Sequence, residues 1–322
     1  MRGDSGAATP AISCLLPVRD GERWLRAAID SILAQSFGDF ELIVIDDGGA
    51  DASARIVEEA MRRDPRVRLL RQPARGVVAA LNAGLAAARG AFIARMDADD
   101  VAVSNRFERQ IEVLRARTGI VIIGAKARAI GADDSDDGRA PEVAPPGPRL
   151  KIGRSRAARF PPSILSVLHP TIMMRAHELR ALGGYRDDFR HVEDYDLYLR
   201  AAGIGAIAEL QETLLLYRLH GANISLRRLR EQERNAAACD LRNVGEARGR
   251  RGLPPLSLSR ATLNGWIAFR IHRRRRKLGV ADRRSLARAC RLALRGASRA
   301  SAAETAHILA RCLWYALRPA PS

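Results

Sequence analysis

The 322-residue sequence is poor in cysteine and in aromatic residues, and it has no long apolar run. Its four cysteines show neither a CxxC spacing nor a nearby pair of histidines, so neither a disulfide framework nor a zinc site is predicted. No window reaches the roughly 18 to 20 apolar residues that a membrane-spanning helix needs. The start MRGDSGAATPAIS lacks the apolar stretch of a signal peptide. We therefore expect a cytoplasmic chain that does not cross a membrane by itself.

The excess of positive charge is confined to the last third of the chain. Lys and Arg total 54 and Asp and Glu total 36, a formal net charge of +18. Residues 1–226 contain 31 basic and 30 acidic residues, whereas residues 227–322 contain 23 basic and 6 acidic ones. A polyanionic partner, either nucleic acid or an anionic membrane, is therefore a question for the C-terminal region, and the rest is an electrically balanced globular body.

Short apolar runs alternate with segments of helical periodicity in the first 127 residues. Strands are predicted at 11–18, 40–47, 67–72, 91–97 and 120–127. Helices are predicted between them, around 24–33, from Asp51 or Ser53 to Arg63, near 77–88 and around 105–117. This alternation predicts an α/β fold with a mostly parallel sheet and helices on both faces.

Polar segments follow four of the predicted strands, and ligands of such sheets bind beyond the carboxyl ends of the strands. These segments are 17–20, 46–49, 72–76 and 97–100. An isolated aspartate at such a place often caps the next helix. Asp46 and Asp47 are adjacent, however, and a cap accounts for at most one of the two carboxylates, so the other needs a different partner.

Asp97, Asp99 and Asp100 place three carboxylates within four residues. Side chains at positions i and i+2 of an extended segment point the same way, so Asp97 and Asp99 can converge on one ion. Hard oxygen ligands of this kind favour Mg²⁺ or Mn²⁺. The sequence therefore predicts a divalent cation at the carboxyl edge of the sheet.

Six segments in serial order resemble the family 2 glycosyltransferases. They are ISCLLPVRDGERWLRAAIDSILAQSF, FELIVIDDGGADAS, RGVVAALNAGLAAARGAFIARMDADD, LHPTIMMR, GGYRDDFRHVEDYDLYLR and LLYRLHGANIS. The resemblance covers roughly residues 11–226, and the order of the segments is far more specific than any one of them. It implies a GT-A type, Rossmann-like α/β fold, followed by a basic helical C-terminal extension. The chain departs from the family at Gly49 and Ala50, where Ser and Thr are frequent, which removes a secondary hydroxyl contact and leaves both aspartates intact.

The resemblance implies a binding site for a nucleotide-sugar donor. Pro17, Asp47 and Arg75 match positions that contact the nucleoside, with Asp47 accepting the N–H of the base and Asp46 beside it in the pocket. Uridine diphosphate is the carrier that the same resemblance suggests.

By the same resemblance, the cation lies on Asp97 and Asp99, where it bridges the two phosphates of the donor, and Asp97 also contacts the donor. The cation stabilises the charge that develops on the departing nucleoside diphosphate. His220, in YRLHGANIS, is expected to complete the metal or diphosphate site. The alternative is a surface or capping histidine after a strand.

Glu193 and Asp194, in HVEDYDLYLR, match the family's acidic motif at the start of an acceptor-side helix. Asp194 is expected to be the general base that takes the proton of the acceptor hydroxyl, so that the product has inverted anomeric configuration, and Glu193 contributes to substrate binding. The alternative is that the acidic residues only favour the helix N-terminus electrostatically. Asp196 is expected to be solvated or to have a packing role, and His169 is placed in a strand of the acceptor half without a chemical role.

These assignments predict three regions, namely a flexible N-terminus at 1–10, a catalytic domain at 11–226 and a basic α-helical region at 227–322. The catalytic domain consists of a nucleotide-sugar half at 11–127 and an acceptor half at 149–226. The acidic and proline-rich residues 131–148 predict a loop, which either closes over the acceptor site or is an insertion without a role.

The C-terminal region has helical periodicity and five consecutive basic residues at 273–277. Apolar side chains, Trp266 and Phe269 among them, precede the basic run, and a second apolar stripe lies at 308–317. This pattern is typical of a segment that binds an anionic membrane surface, which would attach the enzyme peripherally to the inner face of the cell membrane, beside a lipid-linked acceptor. The alternative is a pair of helices packed on the catalytic body.

The sequence thus predicts transfer of a sugar to a saccharide or lipid-linked acceptor, in synthesis of a cell-envelope polysaccharide or glycolipid. A nucleotidyltransferase also combines an α/β sheet with carboxylate-bound Mg²⁺, but PVRDGERW is not its glycine-rich phosphate loop. A nucleic-acid-binding protein would explain the basic tail. No RRM, zinc-finger or helix-turn-helix motif is found and only 5% of the residues are aromatic, so nucleic acid is not an expected partner.

Overall fold

The computed structural model places the chain in two compact units. It describes residues 9–133, 149–153, 160, 162, 164–189, 191–221, 228–253, 255–256, 263–264, 266–271, 306 and 308. Unit 1 is drawn from residues 1–154, 165–187 and 204–221, and unit 2 from residues 155–164, 188–203 and 222–322. Within unit 2, residues 188–203 pack with residues of the C-terminal region.

Nine strands of unit 1 form one sheet within the described residues. They are β1 (Ile12–Val18), β2 (Phe40–Asp46), β3 (Val67–Arg71), β4 (Phe92–Arg95), β5 (Val101–Ala102), β6 (Ile120–Ile130), β7 (Leu150–Gly153), β8 (Met173–Arg175) and β9 (Ala206–Arg218). Their order is β3-β2-β1-β4-β8-β6-β9-β5, and β7 pairs with β9. β5, β7 and β8 run against the other six strands, so the predicted mostly parallel sheet is confirmed.

The helices of unit 1 follow the predicted alternation. They are α1 (Glu22–Leu33), α2 (Ser53–Arg63), α3 (Val77–Ala87), α4 (Arg106–Ala116) and α5 (Ala176–Ala181). Unit 2 contains α6 (Glu193–Ala201) and α7 (Leu229–Gly249), and residues 266–271 are also helical. The five predicted strands correspond to β1, β2, β3, β4 and β6, and the four predicted helices to α1 through α4.

His169 does not lie in a strand, contrary to the prediction. It begins a 3₁₀ turn, His169–Thr171, that precedes β8. Pro170 within this turn has no N–H to contribute to a sheet. Thr171 Oγ1 donates to Leu168 O at 2.6 Å and accepts the Ala125 N–H at 3.1 Å, which fixes the turn against β6.

The sheet is covered on both faces, since every residue of β2 is buried. Leu42 and Val44 share an apolar cluster with residues of α1 and α2 on one face. Ile45 points to the other face, because side chains alternate along a strand. There α3 approaches so closely that a Cβ atom added at Gly84 would lie 2.9 Å from Ile45 Cδ1. The prediction of helices on both faces is confirmed.

The register of the parallel strands brings their carboxyl ends to one edge of the sheet. Val18 of β1 pairs with Asp46 of β2, and Asp46 pairs with Arg71 of β3. β4 pairs with β1 only as far as Leu15 and Arg95, so the chain leaves the sheet after Arg95. The loops that follow these ends carry the predicted site.

Unit 2 has an apolar core of its own. Its buried members are Phe160, Ala237, Val244, Trp266, Phe269 and Ile308. The side chains of Trp266 and Phe269 are packed in this core, at 1% and 0% exposure, so the prediction that they contact a membrane is wrong. Both side chains pack against apolar residues of α7, Ala237 and Val244. The sequence pattern alone does not show that these residues meet.

Several sequence predictions concern residues outside the described part. They are the N-terminal residues 1–8, the loop residues 134–148, Pro254, the basic run 273–277 and residues 309–322. Within the part of the chain that the structure describes, no helix combines the length and the apolar character needed to cross a bilayer.

Candidate active site

Asp47 orders the loop that follows β3. Its Oδ1 accepts Gln72 Nε2–H at 2.7 Å and the Arg75 N–H at 2.8 Å, and its Oδ2 accepts the Gly76 N–H at 2.8 Å. Burial raises the pKa of Asp47, but these three hydrogen bonds outweigh burial and leave the pKa below its ordinary value. Asp47 is therefore ionised at neutral pH, and it holds the loop that carries the exposed side chain of Arg75.

Glycine is required at the point where this loop and the loop after β2 meet. Gly48 has a φ of +71°, and a Cβ atom there would lie 2.7 Å from the backbone nitrogen of Ala74. A side chain at Gly48 would be strained in conformation and would also collide with the neighbouring backbone. Gly48 thus allows the close approach that lets Asp47 reach Arg75.

The turn between β1 and α1 lies between two acidic loops. The first follows β2 and carries Asp46 and Asp47, and the second follows β4 and carries Asp97, Asp99 and Asp100. Asp20 has a φ of 51°, which aspartate tolerates better than most residues, and its Oδ1 accepts the Ala50 N–H at 2.8 Å. A Cβ atom added at Gly21 would lie 3.6 Å from Ala98 Cβ in the second acidic loop. A Cβ atom added at Gly49 would lie 3.0 Å from Asp20 N, so glycine suits this position where the family often has serine. The sequence analysis assigned no role to Asp20, and its only signal was an acidic residue beside a glycine after a strand.

Asp46 and Pro17 also lie at this edge of the sheet. Asp46 is 7% exposed, and its Oδ1 accepts the Gly49 N–H at 3.0 Å. Pro17 is half-buried in β1 and pairs in register with Ile45. The pairing of β4 with β1 ends at Leu15, whose carbonyl accepts the Met96 N–H at 3.0 Å, and Pro17 has no N–H with which to extend this pairing.

Asp97, Asp99 and Asp100 converge in the loop after β4. One carboxylate oxygen from each lies within 4.8 Å of the others. The side chains of Asp97 and Asp99 are 28% and 30% exposed, and Asp100 is 1% exposed. The structure therefore brings the two predicted metal ligands together and adds Asp100, which the sequence analysis did not predict as a ligand.

Asp100 is the most perturbed carboxylate of this group. Its Oδ1 accepts the Arg218 N–H at 2.9 Å, whereas its buried Oδ2 has no hydrogen-bond partner among the described residues. Burial, followed by the charges of Asp97 and Asp99, raises the pKa of Asp100 to about 8, although the Arg218 hydrogen bond opposes the shift. Asp100 is consequently protonated at neutral pH unless a cation is bound beside it.

Arg95 supplies positive charge next to the acidic group. It is the last residue of β4, it is 7% exposed, and its Nη2 forms an ion pair with Asp97 Oδ1. Burial lowers the pKa of Arg95, but the charge of Asp97, its ion pair with Arg95 and the charges of Tyr185 and Asp100 together raise the pKa by more, so the guanidinium stays ionised. Arg95 thereby holds Asp97 in one orientation. The sequence analysis did not identify this residue, because a buried arginine in a strand is unusual.

His220 lies beside Asp99, as the prediction of a role at the metal or diphosphate site requires. Its Nε2 is 2.8 Å from Asp99 Oδ2, and its ring centroid is 4.5 Å from that of Trp24. Arg218 Nε donates to Asp99 O at 2.7 Å, and its guanidinium carbon is 5.6 Å from the Trp24 ring centroid. Trp24 therefore orients His220 toward Asp99. In the sequence Trp24 was only one apolar residue of a helical face.

The carboxylates of this loop fit a divalent cation. Three such groups at one point repel one another, and one of them has a buried oxygen without a partner in the described part of the chain. A cation would supply that partner and offset the repulsion. Oxygen ligands with one neighbouring imidazole favour Mn²⁺ or Mg²⁺ over metals that prefer thiolates.

Glu193 and Asp194 lie at the start of α6, in unit 2, and both are half-buried. Asp194 Oδ1 accepts the Tyr195 N–H at 2.7 Å. Asp196 is fully buried and accepts Arg200 Nε–H at 2.7 Å. It therefore has the predicted packing role and is not solvated.

A mostly parallel α/β sheet with acidic loops at the carboxyl ends of its strands is typical of enzymes that bind a nucleotide, and a cluster of carboxylates at that edge is typical of sites for a divalent cation. The sequence profile of Glycosyl transferase family 2 matches residues 13–181, more than half of the chain. The protein belongs to this family.

Known proteins resemble the chain in sequence or in fold. A Bacillus subtilis (strain 168) protein named as a glycosyltransferase, EpsE, is 33% identical over 195 residues, which are 59% of this chain and 66% of EpsE. The chain thus spans slightly less than two thirds of that relative.

Two solved structures share the GT-A fold with this chain. S. aureus TarS 1-349 in complex with UDP-GlcNAc has a TM-score of 0.58 and 17% identity, covering 94% of this chain and 88% of the other. The mannosyltransferase PcManGT from Pyrobaculum calidifontis, in complex with GDP-Man and Mn²⁺, has a TM-score of 0.56 and 16% identity, covering 97% and 81%. At these identities the likeness is one of fold alone.

Proposed function

We propose that this glycosyltransferase moves a sugar from a nucleoside diphosphate sugar, with UDP as the first carrier to test, to an acceptor hydroxyl with inversion at the anomeric carbon. The observation that carries the proposal is the convergence of Asp97, Asp99 and Asp100, together with the unpartnered buried oxygen of Asp100. The complexes of two fold relatives with UDP-GlcNAc and with GDP-Man support a nucleotide-sugar donor.

The nucleoside of the donor binds at the edge formed by Pro17, Asp46, Asp47 and Arg75. The sequence predicts Asp47 as the acceptor of the N–H of the base, but Asp47 already accepts three hydrogen bonds from the protein and Asp46 accepts one, so we assign this role to Asp46. Arg75 has an exposed guanidinium that can contact the base or ribose. Pro17 offers an apolar surface without a competing N–H donor.

Asp97, Asp99 and Asp100 would hold a Mn²⁺ or Mg²⁺ ion, with His220 beside Asp99. When bound, the ion supplies stabilisation of negative charge on the leaving nucleoside diphosphate. Arg95 keeps Asp97 oriented through its ion pair, and Trp24 keeps His220 against Asp99. The PcManGT complex with Mn²⁺ supports the choice of ion.

Asp194 is the general base of the proposed reaction, and Glu193 beside it binds substrate. The proton of the acceptor hydroxyl passes to the Asp194 carboxylate as the acceptor oxygen forms a bond to the anomeric carbon and the bond to the diphosphate oxygen breaks. The Tyr195 N–H donates to Asp194 Oδ1 at 2.7 Å and so helps to orient the carboxylate.

Transfer assays test these roles directly. Donors are first selected by thermal shift with UDP, GDP, UDP-GlcNAc and GDP-Man, each with and without Mn²⁺. Transfer to saccharide or lipid-linked acceptors should need Mn²⁺ or Mg²⁺, and Asp97→Ala and Asp99→Ala should abolish it. Asp194→Asn should lose transfer and keep donor binding, whereas Asp39→Asn, which removes an exposed carboxylate at the opposite end of β2, should change neither. Normal turnover of Asp194→Asn would show that another group is the base.

The proposed setting is the synthesis of a cell-envelope polysaccharide or glycolipid on the inner face of the cell membrane. The support is the charge of residues 227–322, with 23 basic against 6 acidic residues. The full chain should co-sediment with phosphatidylglycerol vesicles more than with phosphatidylcholine vesicles. A variant with the four arginines at 273–276 changed to glutamine should lose that preference, and equal sedimentation of the two chains would contradict a membrane role for the basic run.

A further inference from the structure

α6 begins with Glu193 and with Asp194, the proposed general base, and it is tied to α7 by polar contacts. Tyr195, the residue after Asp194, donates its hydroxyl to Asp240 Oδ1 at 2.7 Å. Asp196, the next residue, accepts Asn243 Nδ2–H at 2.9 Å. Two successive residues of α6 are therefore held by two residues on one face of α7.

Asp240 is the centre of this network. It is fully buried, and its Oδ2 accepts Trp266 Nε1–H at 2.8 Å and Arg270 Nη1–H at 2.9 Å. Arg270 also donates from Nε to Glu233 Oε2 at 2.7 Å, and its guanidinium carbon lies 5.0 Å from the centroid of the Tyr195 ring. The hydroxyl and the ring of Tyr195 are thus both fixed by residues from the basic C-terminal region.

An ionic network of this kind is a poor device for stability alone. Removing carboxylates and a guanidinium from water is costly, and well-packed apolar residues of similar volume often give equal or greater stability. Hydrogen bonds of defined direction specify one arrangement of the groups that they join. Here the group so specified is Tyr195, whose backbone N–H binds Asp194 Oδ1.

We propose that Tyr195, Asp240 and Arg270 are positioning residues for catalysis, because they fix the first turn of α6, which carries Asp194. The inference rests on the proposed role of Asp194 as the base. By this inference, Asp240 and Arg270 of the basic region 227–322 support catalysis, so the basic region is more than an appendage of the catalytic domain.

Tyr195→Phe is the sharpest test, since it removes one hydroxyl and keeps the aromatic ring. Loss of the bond to Asp240 should lower kcat by about 10- to 100-fold, the order expected when a catalytic group is displaced by about 1 Å. The dissociation constant of the nucleotide sugar with Mn²⁺ should stay within about twofold, because the donor residues belong to unit 1. Asp240→Asn should behave in the same way. Arg270→Lys, which keeps the charge and loses the fork of donors, should restore part of the loss seen in Arg270→Gln.

Val244→Ala is the matched control for packing. Val244 lies on α7, is 0% exposed and belongs to the apolar core of unit 2, so its truncation loosens α7 without touching the polar network. At a melting temperature equal to that of Tyr195→Phe, it should keep kcat within about threefold of the original chain.

The outcomes separate the inference from the proposed function. Loss of transfer in Asp194→Asn, with kcat unchanged in Tyr195→Phe and Asp240→Asn, overturns the inference and leaves the base in place. Equal falls of kcat in Val244→Ala and Tyr195→Phe, or weakened donor binding in parallel with kcat, also overturn it. Full activity of Asp194→Asn removes the proposed function and the inference together.

Discussion

Asp100→Asn tests how the raised pKa of Asp100 affects the stability of the folded chain. The pKa of Asp100 is raised from 3.8 to about 8, so the folded chain binds a proton that the unfolded chain releases at lower pH. The stability due to this proton is complete below about pH 4 and is lost as the pH rises to about 8. One pKa unit corresponds to about 1.4 kcal/mol, so the cation-free protein loses at most about 6 kcal/mol over this interval.

Asparagine resembles the protonated carboxyl and does not titrate. In the absence of divalent cations, Asp100→Asn should therefore match the original chain near pH 4 and exceed its free energy of unfolding by several kcal/mol at pH 9, up to the limit of about 6 kcal/mol. With Mn²⁺ the order should reverse, because the original chain keeps all three carboxylates and gains stability by binding the ion.

Urea unfolding in EDTA, followed by circular dichroism at intervals from pH 4 to pH 9, measures this difference. Asp39→Asn is the matched control, since it removes one exposed carboxylate at the amino end of β2 and should keep the original pH dependence. Identical pH profiles for Asp100→Asn and the original chain, or a variant less stable at pH 9 in EDTA, would refute the reasoning.

Three further predictions concern separate parts of the molecule. Gly48→Ala should cost about 1–2 kcal/mol of stability for its positive φ alone and should weaken UDP binding, because a Cβ atom would lie 2.7 Å from Ala74 N; calorimetry that gave unchanged affinity would exclude the close approach. His220→Ala should weaken Mn²⁺ binding by about 10-fold or more, since it removes the partner of Asp99; unchanged affinity would make His220 a surface residue. A chain ending at residue 226 should lose the cooperative unfolding of unit 2, and a truncated chain with full transfer activity would contradict the packing of α6 against α7.

The strands that consist of long apolar runs could be predicted from the sequence. The short strands that exist only through pairing with a neighbouring strand could not. β1, β2 and the first half of β6 are mostly apolar segments between turn residues, so their positions follow from the pattern alone. β5 has two residues and β8 has three, too few for any periodicity, and each exists because a neighbouring strand pairs with it.

Residues of the candidate site could be predicted where their type and spacing are typical of a metal ligand. Asp97 and Asp99 are recognisable as ion ligands from their spacing, and the structure places their carboxylates together. The burial of Asp100 depends on Arg218 of β9, which is 118 residues away in the sequence, and no local pattern expresses that contact. Arg95 could not be predicted for the same reason, since its role is set by the cluster beside it.

In the C-terminal region, charge patterning did not predict the buried polar network. Its excess of arginine favoured an appendage that binds an anionic surface. In the structure Asp240 and Arg270 are 0% and 5% exposed and belong to a buried network, although charged residues are rarely buried. Their partners, Tyr195 and Glu233, lie 45 and 37 residues away, so the network appears only when the helices are packed.

The proposed function requires that the acidic loop bind one divalent ion together with the donor. Electron paramagnetic resonance of Mn²⁺, titrated against the protein with the nucleotide sugar selected by thermal shift, counts bound ions by the loss of the free-ion signal. The original chain should bind one Mn²⁺ in the presence of donor, and Asp97→Ala and Asp99→Ala should bind none at the same concentration. One equivalent of Mn²⁺ retained by both variants would contradict the proposed site, because the ion would then be held elsewhere.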